Sequence, residues 1–205
     1  MRGGTFTILI LRQRDDFVPL LFYHYRKEAI PMEKMLLLRP DASYLDEINA
    51  YRSEFLAAGS SMDGTGALRQ TDAAEWLRLV PLYEHPETVP KPLVPATQFI
   101  YVREADHRLV GMLQVRHFLN DALRLYGGHI GYSVRPSERH KGYASQMLKA
   151  ALPFCKSLGL DRVLITCHKE NEASRRVILK NGGIYENTVQ HPPENKELER
   201  YWIAL

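Results

Sequence analysis

Residues 129–144 read His129-Ile-Gly-Tyr-Ser-Val-Arg-Pro-Ser-Glu-Arg-His-Lys-Gly-Tyr-Ala144. An apolar run of strand character breaks at Arg135-Pro136, a charged loop follows, and Gly142 opens a segment of helical periodicity. A helix start carries about four backbone N–H groups without intrahelical partners and the positive end of the macrodipole. Gly142 and the small Ala144 let a ligand approach that backbone, while Arg139 and Lys141 add positive charge. Two readings fit: a cradle for a diphosphate, or a solvated basic turn that caps a helix. The sequence has no Gly-x-x-x-x-Gly-Lys-Ser/Thr, which excludes a P-loop nucleotidase, and no Gly-x-Gly-x-x-Gly after a strand.

Outward from this stretch the pattern is regular. Upstream, Met35–Arg39 reads as a short strand ended by Pro40. A helix from about Tyr44 to Ala58 is capped by Asp41 or Ser43, and a second, carrying Trp76, Leu77 and Val80, by Thr71 or Asp72. Gly59–Gly66 is a loop by composition, and the five prolines of Pro81–Pro95 mark a surface connector. Gln98–Arg103 and Leu109–Phe118 read as a hairpin around Glu104–His107. Downstream, Gly142–Leu158 is a helix stopped by Gly159, with Pro153 predicting a kink or an altered last turn. Arg162–Cys167 is a strand, Asn171–Asn181 a helix, and Ile184–Glu186 and Leu198–Ala204 closing strands. The order β-α-α-β-β-β-α-β-α-β-β defines a mixed α/β (α+β) domain without internal repeats.

Composition narrows the class. The 205 residues carry 27 Lys and Arg against 24 Asp and Glu, a net +3 that is too mild to argue for nucleic acid. Cys155 and Cys167, the two cysteines, match neither a disulfide framework nor a close-spaced zinc motif, so no metal is expected. No apolar stretch approaches the roughly 20 residues of a membrane span. Thr5–Leu11 is apolar, but charges follow at once and no small-residue cleavage site appears, so the expectation is a cytoplasmic chain. Residues 1–31 read differently from 32–205. They are either an extension outside the core or an arm that packs on the domain or on a partner.

Arg139-x-x-Gly142-x-Ala144 after a strand ending Ser133-Val134 resembles the acetyl-CoA motif of the GNAT N-acetyltransferase superfamily, in small bacterial-type acetyltransferases. The resemblance continues through Asn171-x-x-Ser174 and the helix ending Lys180-Asn-Gly-Gly183, and covers about Gln98 to Leu205. It implies a mostly antiparallel twisted sheet, splayed at the cofactor site and flanked by helices. Residues 32–205 would form one such domain. It further implies transfer of an acetyl group from acetyl-CoA to an amine, and allows a homodimer.

Carried onto this chain, the resemblance gives the backbone of Ser133 and Val134 to the pantetheine arm and acetyl carbonyl. Arg139, His140, Lys141, Gly142, Tyr143 and Ala144 would take the pyrophosphate. Asn171 would contact the pantetheine, with Ser174 giving room beside it; Asn171 also suits a helix N-cap. Many members use a tyrosine seven residues after this asparagine as the acid, and here that position is Ile178. The departure keeps a non-catalytic acyl-CoA-binding module in play. Catalytic candidates are His129, in the right pKa range, and Tyr132, as proton donor or pocket lining. Strand alternation places His129, Gly131 and Ser133 on one face and Ile130, Tyr132 and Val134 on the other. Cys167 reads as a small core residue rather than a nucleophile, and Asp63 as a solvated loop acid that can also hold an ammonium.

Overall fold

The computed structural model describes residues 33–193 and 195–205 in full, and the backbone of 7–9 and 20–22. The chain divides into two units, Met1–Glu33 and Lys34–Leu205. In the first, β1 (Thr7–Leu9) pairs antiparallel with β2 (Leu20–Phe22). The remaining expectations for residues 1–31 lie outside the described residues.

The second unit runs β3 (Met35–Leu38), α1 (Leu45–Ala57), α2 (Ala73–Leu79), β4 (Ala96–Arg103), β5 (Arg108–Arg116), β6 (Ile130–Val134), α3 (Tyr143–Ser157), β7 (Arg162–His168), α4 (Glu172–Lys180), β8 (Ile184–His191) and β9 (Lys196–Ala204). The order matches the sequence pattern. Asp41 accepts from the Ser43 N–H before α1, and Asp72 accepts from the Glu75 N–H at the start of α2. Helix α3 continues through Pro153, and its last turn tightens where the Leu158 N–H is shared between the Phe154 and Cys155 carbonyls.

Several strand ends differ from the sequence pattern, those of β4 and β8 among them. Strand β4 begins at Ala96 because polar Thr97 and Gln98 are buried with partners: Thr97 Oγ1 bonds Glu84 and His117, and Gln98 Nε2 bonds the Gly64 and Leu113 carbonyls. Strand β8 extends to His191, pairing with β9 as far as Lys196. Its residues Glu186, Asn187 and Gln190 show no apolar alternation because this face stays wet.

Every ladder is antiparallel, and the strands form two sheets in the unit, β3-β4-β5-β6 and β7-β9-β8. One core packs Leu113, Val115 and Ile130 against Met147, Leu148 and Ile178 of α3 and α4. The other packs Ile100 and Met112 against Ile48, Tyr51, Phe55 and Trp76 of α1 and α2. Burial on both faces explains why β4 reads as a nearly continuous apolar run. A register shift beside Tyr101/Val102 leaves Val110 without an opposite residue, so Leu109 and Met112 share one core while Val110 and Leu113 share the other.

Between β6 and β7 no ladder forms. Just ahead of β6 the two segments touch through His129, whose N–H donates to the Leu164 carbonyl at 2.7 Å. Its imidazole Nδ1 accepts from the Leu164 N–H at 2.9 Å. A side chain thus replaces a ladder partner at the apex of a wedge that opens toward the end of β6.

This placement sets the expected catalytic candidate His129 in a structural bond at the wedge apex. Its Nδ1 lone pair is committed, and the residue is 5% exposed. Burial, then the nearby Arg116 and Arg124, press its pKa down to about 4. Its ring lines an open cavity of about 390 Å³ with Arg124, Asp161, Arg162 and Trp202. Neither Tyr132 nor the loop before α3 lines that cavity.

The unfolded chain takes up a proton at His129 near pH 6.5 and the folded chain only near pH 4. Stability from this residue is therefore full above about pH 6.5 and falls as pH drops toward 4, by roughly 3 kcal/mol in all. His129→Gln, which keeps an acceptor but does not titrate, should flatten that part of the acid limb in urea unfolding from pH 7 to 4. An unchanged limb would place the proton uptake elsewhere.

Candidate active site

Strand β6 ends at Val134, and the chain turns sharply because Arg135 is anchored below. The Arg135 side chain is 3% exposed. Its Nε donates to Glu54 at 2.6 Å, and its Nη1 donates to Glu47 at 2.9 Å and to the Leu109 carbonyl at 3.1 Å. Glu54 also accepts the Ser137 N–H at 2.6 Å. Burial works against the Glu54 charge, but Ser137 and Arg135 outweigh it and hold the carboxyl below its usual range. One helix, α1, thereby fixes both ends of the turn.

A second set of charges supports the next three residues. Glu138 is buried and takes Lys141 Nζ at 2.8 Å and Arg103 Nη1 at 3.2 Å. Arg139 reaches back along the strand end: Nε donates to the Val134 carbonyl at 3.1 Å and Nη2 to Ser60 Oγ at 2.7 Å. Its guanidinium lies over the Phe55 ring at 5.5 Å. His140 is exposed with φ 64°, a turn residue. Gly142 has φ 84° and caps α3 with no side-chain hydrogen bond. The first turn of α3 therefore presents amides that no cap covers. Tyr143 is not a loop side chain: it is buried, and its hydroxyl accepts from Arg103 at 3.3 Å. Its backbone, with that of half-buried Ala144, belongs to the helix start.

The open edge of β6 is set by ladder parity. The Arg116 N–H donates to the His129 carbonyl and the Arg135 N–H to the Val110 carbonyl. The His129 carbonyl and the backbone groups of 131, 133 and 135 thus turn toward β5, and those of 130, 132 and 134 face the wedge. Of the expected pair, Ser133 faces Met112 and its carbonyl accepts from Tyr51 Oη at 3.0 Å, while the backbone of Val134, with that of Tyr132, faces the wedge. Sequence alternation orders side chains by face and does not say which edge remains open.

Tyr132 reaches across the wedge to the start of α4, where its hydroxyl lies 2.8 Å from Ser174 Oγ. Burial pushes the phenol pKa up, so it stays protonated. Asn171 Oδ1 accepts the Ser174 N–H at 3.0 Å, the N-cap geometry. Ile178 is fully buried in the core of α3 and α4. Cys167, beside Ser174, has its thiol pushed up to about 11 by burial, which keeps it a poor nucleophile at neutral pH.

Opposite, the α1–α2 loop is seated directly on β6. Ser133 Oγ donates to the Asp63 carbonyl at 2.6 Å. Gly64, at φ 72°, lies so close that a Cβ there would come within 2.1 Å of the Gly131 carbonyl. Arg135, Glu47, Glu54 and Glu138, which hold the turn, were not singled out by the sequence pattern. The one cue was a charged residue directly after an apolar strand and before Pro136.

Among the described residues no cluster of three or more His, Cys, Asp or Glu could hold a metal ion, and no helix is long and apolar enough to cross a membrane. Residues 36–184 match the acetyltransferase (GNAT) domain profile. The chain belongs to the GNAT acetyltransferase family. It is 32% identical over 90 residues to an uncharacterised N-acetyltransferase, YnaD, of Bacillus subtilis strain 168. That match covers 40% of this chain and spans about half of the relative's length (52%). The ribosomal-protein-S5-alanine acetyltransferase of Vibrio fischeri superposes with a TM-score of 0.64 at 16% identity, covering 83% of this chain and 92% of that one. The ribosomal L7/L12 α-N-protein acetyltransferase RimL, solved with coenzyme A, gives 0.63 at 17% identity over 83% and 94%.

Arg135→Met should cost about 2–4 kcal/mol in urea unfolding, since it strands Glu47 and Glu54, which are themselves about a quarter to a third exposed. A loss below about 1 kcal/mol would show that the turn is held without the guanidinium.

Proposed function

We propose that this protein moves an acetyl group from acetyl-CoA directly to an amine. The observation that carries the reading is the open β6 edge at Tyr132 and Val134 ending beside the uncapped start of α3. A long ligand with amides at one part and a diphosphate at another fits that pair of features. The α3 start from Lys141 to Ala144, with Arg139 and His140, would hold the diphosphate. The Tyr132 and Val134 backbone and the Asn171 side chain would hold the arm.

Acetyl-CoA, when bound, supplies the activated acetyl thioester. The Val134 N–H, on the open edge of β6, would stabilise charge developing on the acetyl oxygen. An acceptor arriving as an ammonium first gives one proton to water; as the new N–C bond forms and the C–S bond breaks, the nitrogen gives up a second, which returns through water to the group that protonates the sulfur. Tyr132 Oη, kept protonated by burial and bonded to Ser174, donates to the sulfur in place of the acid that Ile178 does not provide. Asp63, on the loop seated over β6, gives an incoming ammonium a counter-charge. RimL, solved with coenzyme A, supports the donor assignment by similarity of fold.

Acetyl-CoA at a hundred times its Kd should stabilise the protein by about 2.7 kcal/mol. That corresponds to a shift of roughly 5–10 °C in thermal unfolding, with ATP and NAD giving none. Gly142→Asp should abolish the shift while leaving the fold intact, because aspartate tolerates the left-handed backbone and its carboxylate occupies the anion's place. Retained acetyl-CoA stabilisation in that variant would overturn the placement of the diphosphate.

Tyr132→Phe should lower kcat by about 10²-fold or more with little change in acetyl-CoA affinity. Unchanged turnover would remove Tyr132 from the proton path.

A further inference from the structure

Arg116 ends β5 on the face that carries Met112 and Gln114, turned toward α1, α2 and the loop between them. Its Nη1 is held by two carbonyls, Gly127 at 2.9 Å and Gly128 at 3.1 Å. Its Nη2 reaches under β6, 3.7 Å from the place a Gly131 side chain would begin. That is the residue on which the α1–α2 loop sits. Among the described residues Arg116 makes no ion pair, whereas the well-buried Arg103, Arg135 and Arg200 each hold a carboxylate.

Burial alone presses the Arg116 ionisation down, and only the charge of Asp63 works the other way. A guanidinium taken out of water without a counter-ion is destabilising. Two neutral carbonyls satisfy one nitrogen and leave the rest of the fork uncommitted. Such a fork matches a planar carboxylate with two parallel hydrogen bonds. Glycine at 131 puts no side chain beside the fork, and the Gly64 backbone of the α1–α2 loop packs against it there, so an acceptor would reach the fork along the margin of that loop.

We propose that Arg116 anchors a carboxylate on the acceptor, so that the substrate class is an amine that also carries an acid. This rests on the acetyl-transfer reading above. Gly131 lies three positions before Val134, or about 10 Å along the strand. A hydrogen bond to the fork takes about 3 Å of that. The remainder separates amine from acid by about four to six bonds, the span of an ω-amino acid or a short peptide. A second cation at this position would meet Arg116 with like charge, which disfavours polyamines.

The test measures CoA release with ω-amino acids from glycine to aminohexanoate, each beside the alkylamine that lacks its carboxylate. At least one acid of intermediate length should exceed its amine by about tenfold or more in kcat/KM. Arg116→Gln should bring the two members of that pair close to parity, chiefly through KM for the acid. Arg116→Lys, which keeps the charge and a donor for the Gly127 and Gly128 carbonyls but loses the fork, should retain part of the preference and serves if the glutamine variant folds poorly. No acid preferred over its amine, or a preference that survives in both variants, overturns the proposal. Acetyl-CoA stabilisation of the parent is measured alongside; its absence would overturn the acetyl-transfer reading, and this proposal with it, without reference to Arg116.

Discussion

Backbone N–H and C=O groups taken from water need partners, and a strand with one edge unpaired inside a domain leaves a row of them waiting. This constraint organises the molecule. Strand β6 is laddered to β5 on one side, while the edge bearing Tyr132 and Val134 faces a gap because β7 joins a different sheet. The gap persists because each half is completed elsewhere: β7 is fully paired with β9, and both halves are packed against α3. An extended ligand carrying its own amides can finish what the missing strand would have done, which is strand addition carried out by a small molecule.

The turn that follows has to be stiff, since it aims the helix start at the same gap. Buried charge supplies the stiffness. Arg135 binds two carboxylates of α1, and Glu138 gathers Arg103, Arg108 and Lys141 from three different segments. Such networks add little net stability, because desolvation offsets most of the attraction. Their geometry is specific, however, and the backbone between them has few alternatives. The positive side chains of Arg139 and Lys141 are already engaged by the protein. In the proposed diphosphate site, backbone amides would therefore carry more of the anion binding than these basic side chains.

Much of this was legible in the residues. The element order followed from apolar periodicity, Asp72 and Asn171 cap the helices they precede, and the Arg139–Ala144 stretch lies at a helix start. The misses share one physical origin. Side-chain alternation in β6 is a local property, whereas which edge stays unpaired is decided by β5, far away in sequence. Hence alternation alone did not show that the Tyr132 backbone faces the gap while that of Ser133 faces β5. His129 looked like a base because an imidazole beside a presumed active site has a suitable intrinsic pKa. Its true partner, the Leu164 N–H, is brought to it only by the crossover through α3. Arg135 was passed over because a charged residue reads as surface until its partners are known.

The bond at the wedge apex has a spectroscopic consequence. Because Leu164 N–H is a donor, the His129 Nδ1 must be the bare nitrogen, and the ring's single proton resides on Nε2. One tautomer is therefore imposed by backbone geometry instead of by a neighbouring acid. The ¹⁵N shifts of this imidazole form a natural gauge of the apex. They will keep the signature of an unprotonated, hydrogen-bonded Nδ1 while the two sheets remain joined there, and will move toward the averaged values of a free ring as soon as they part.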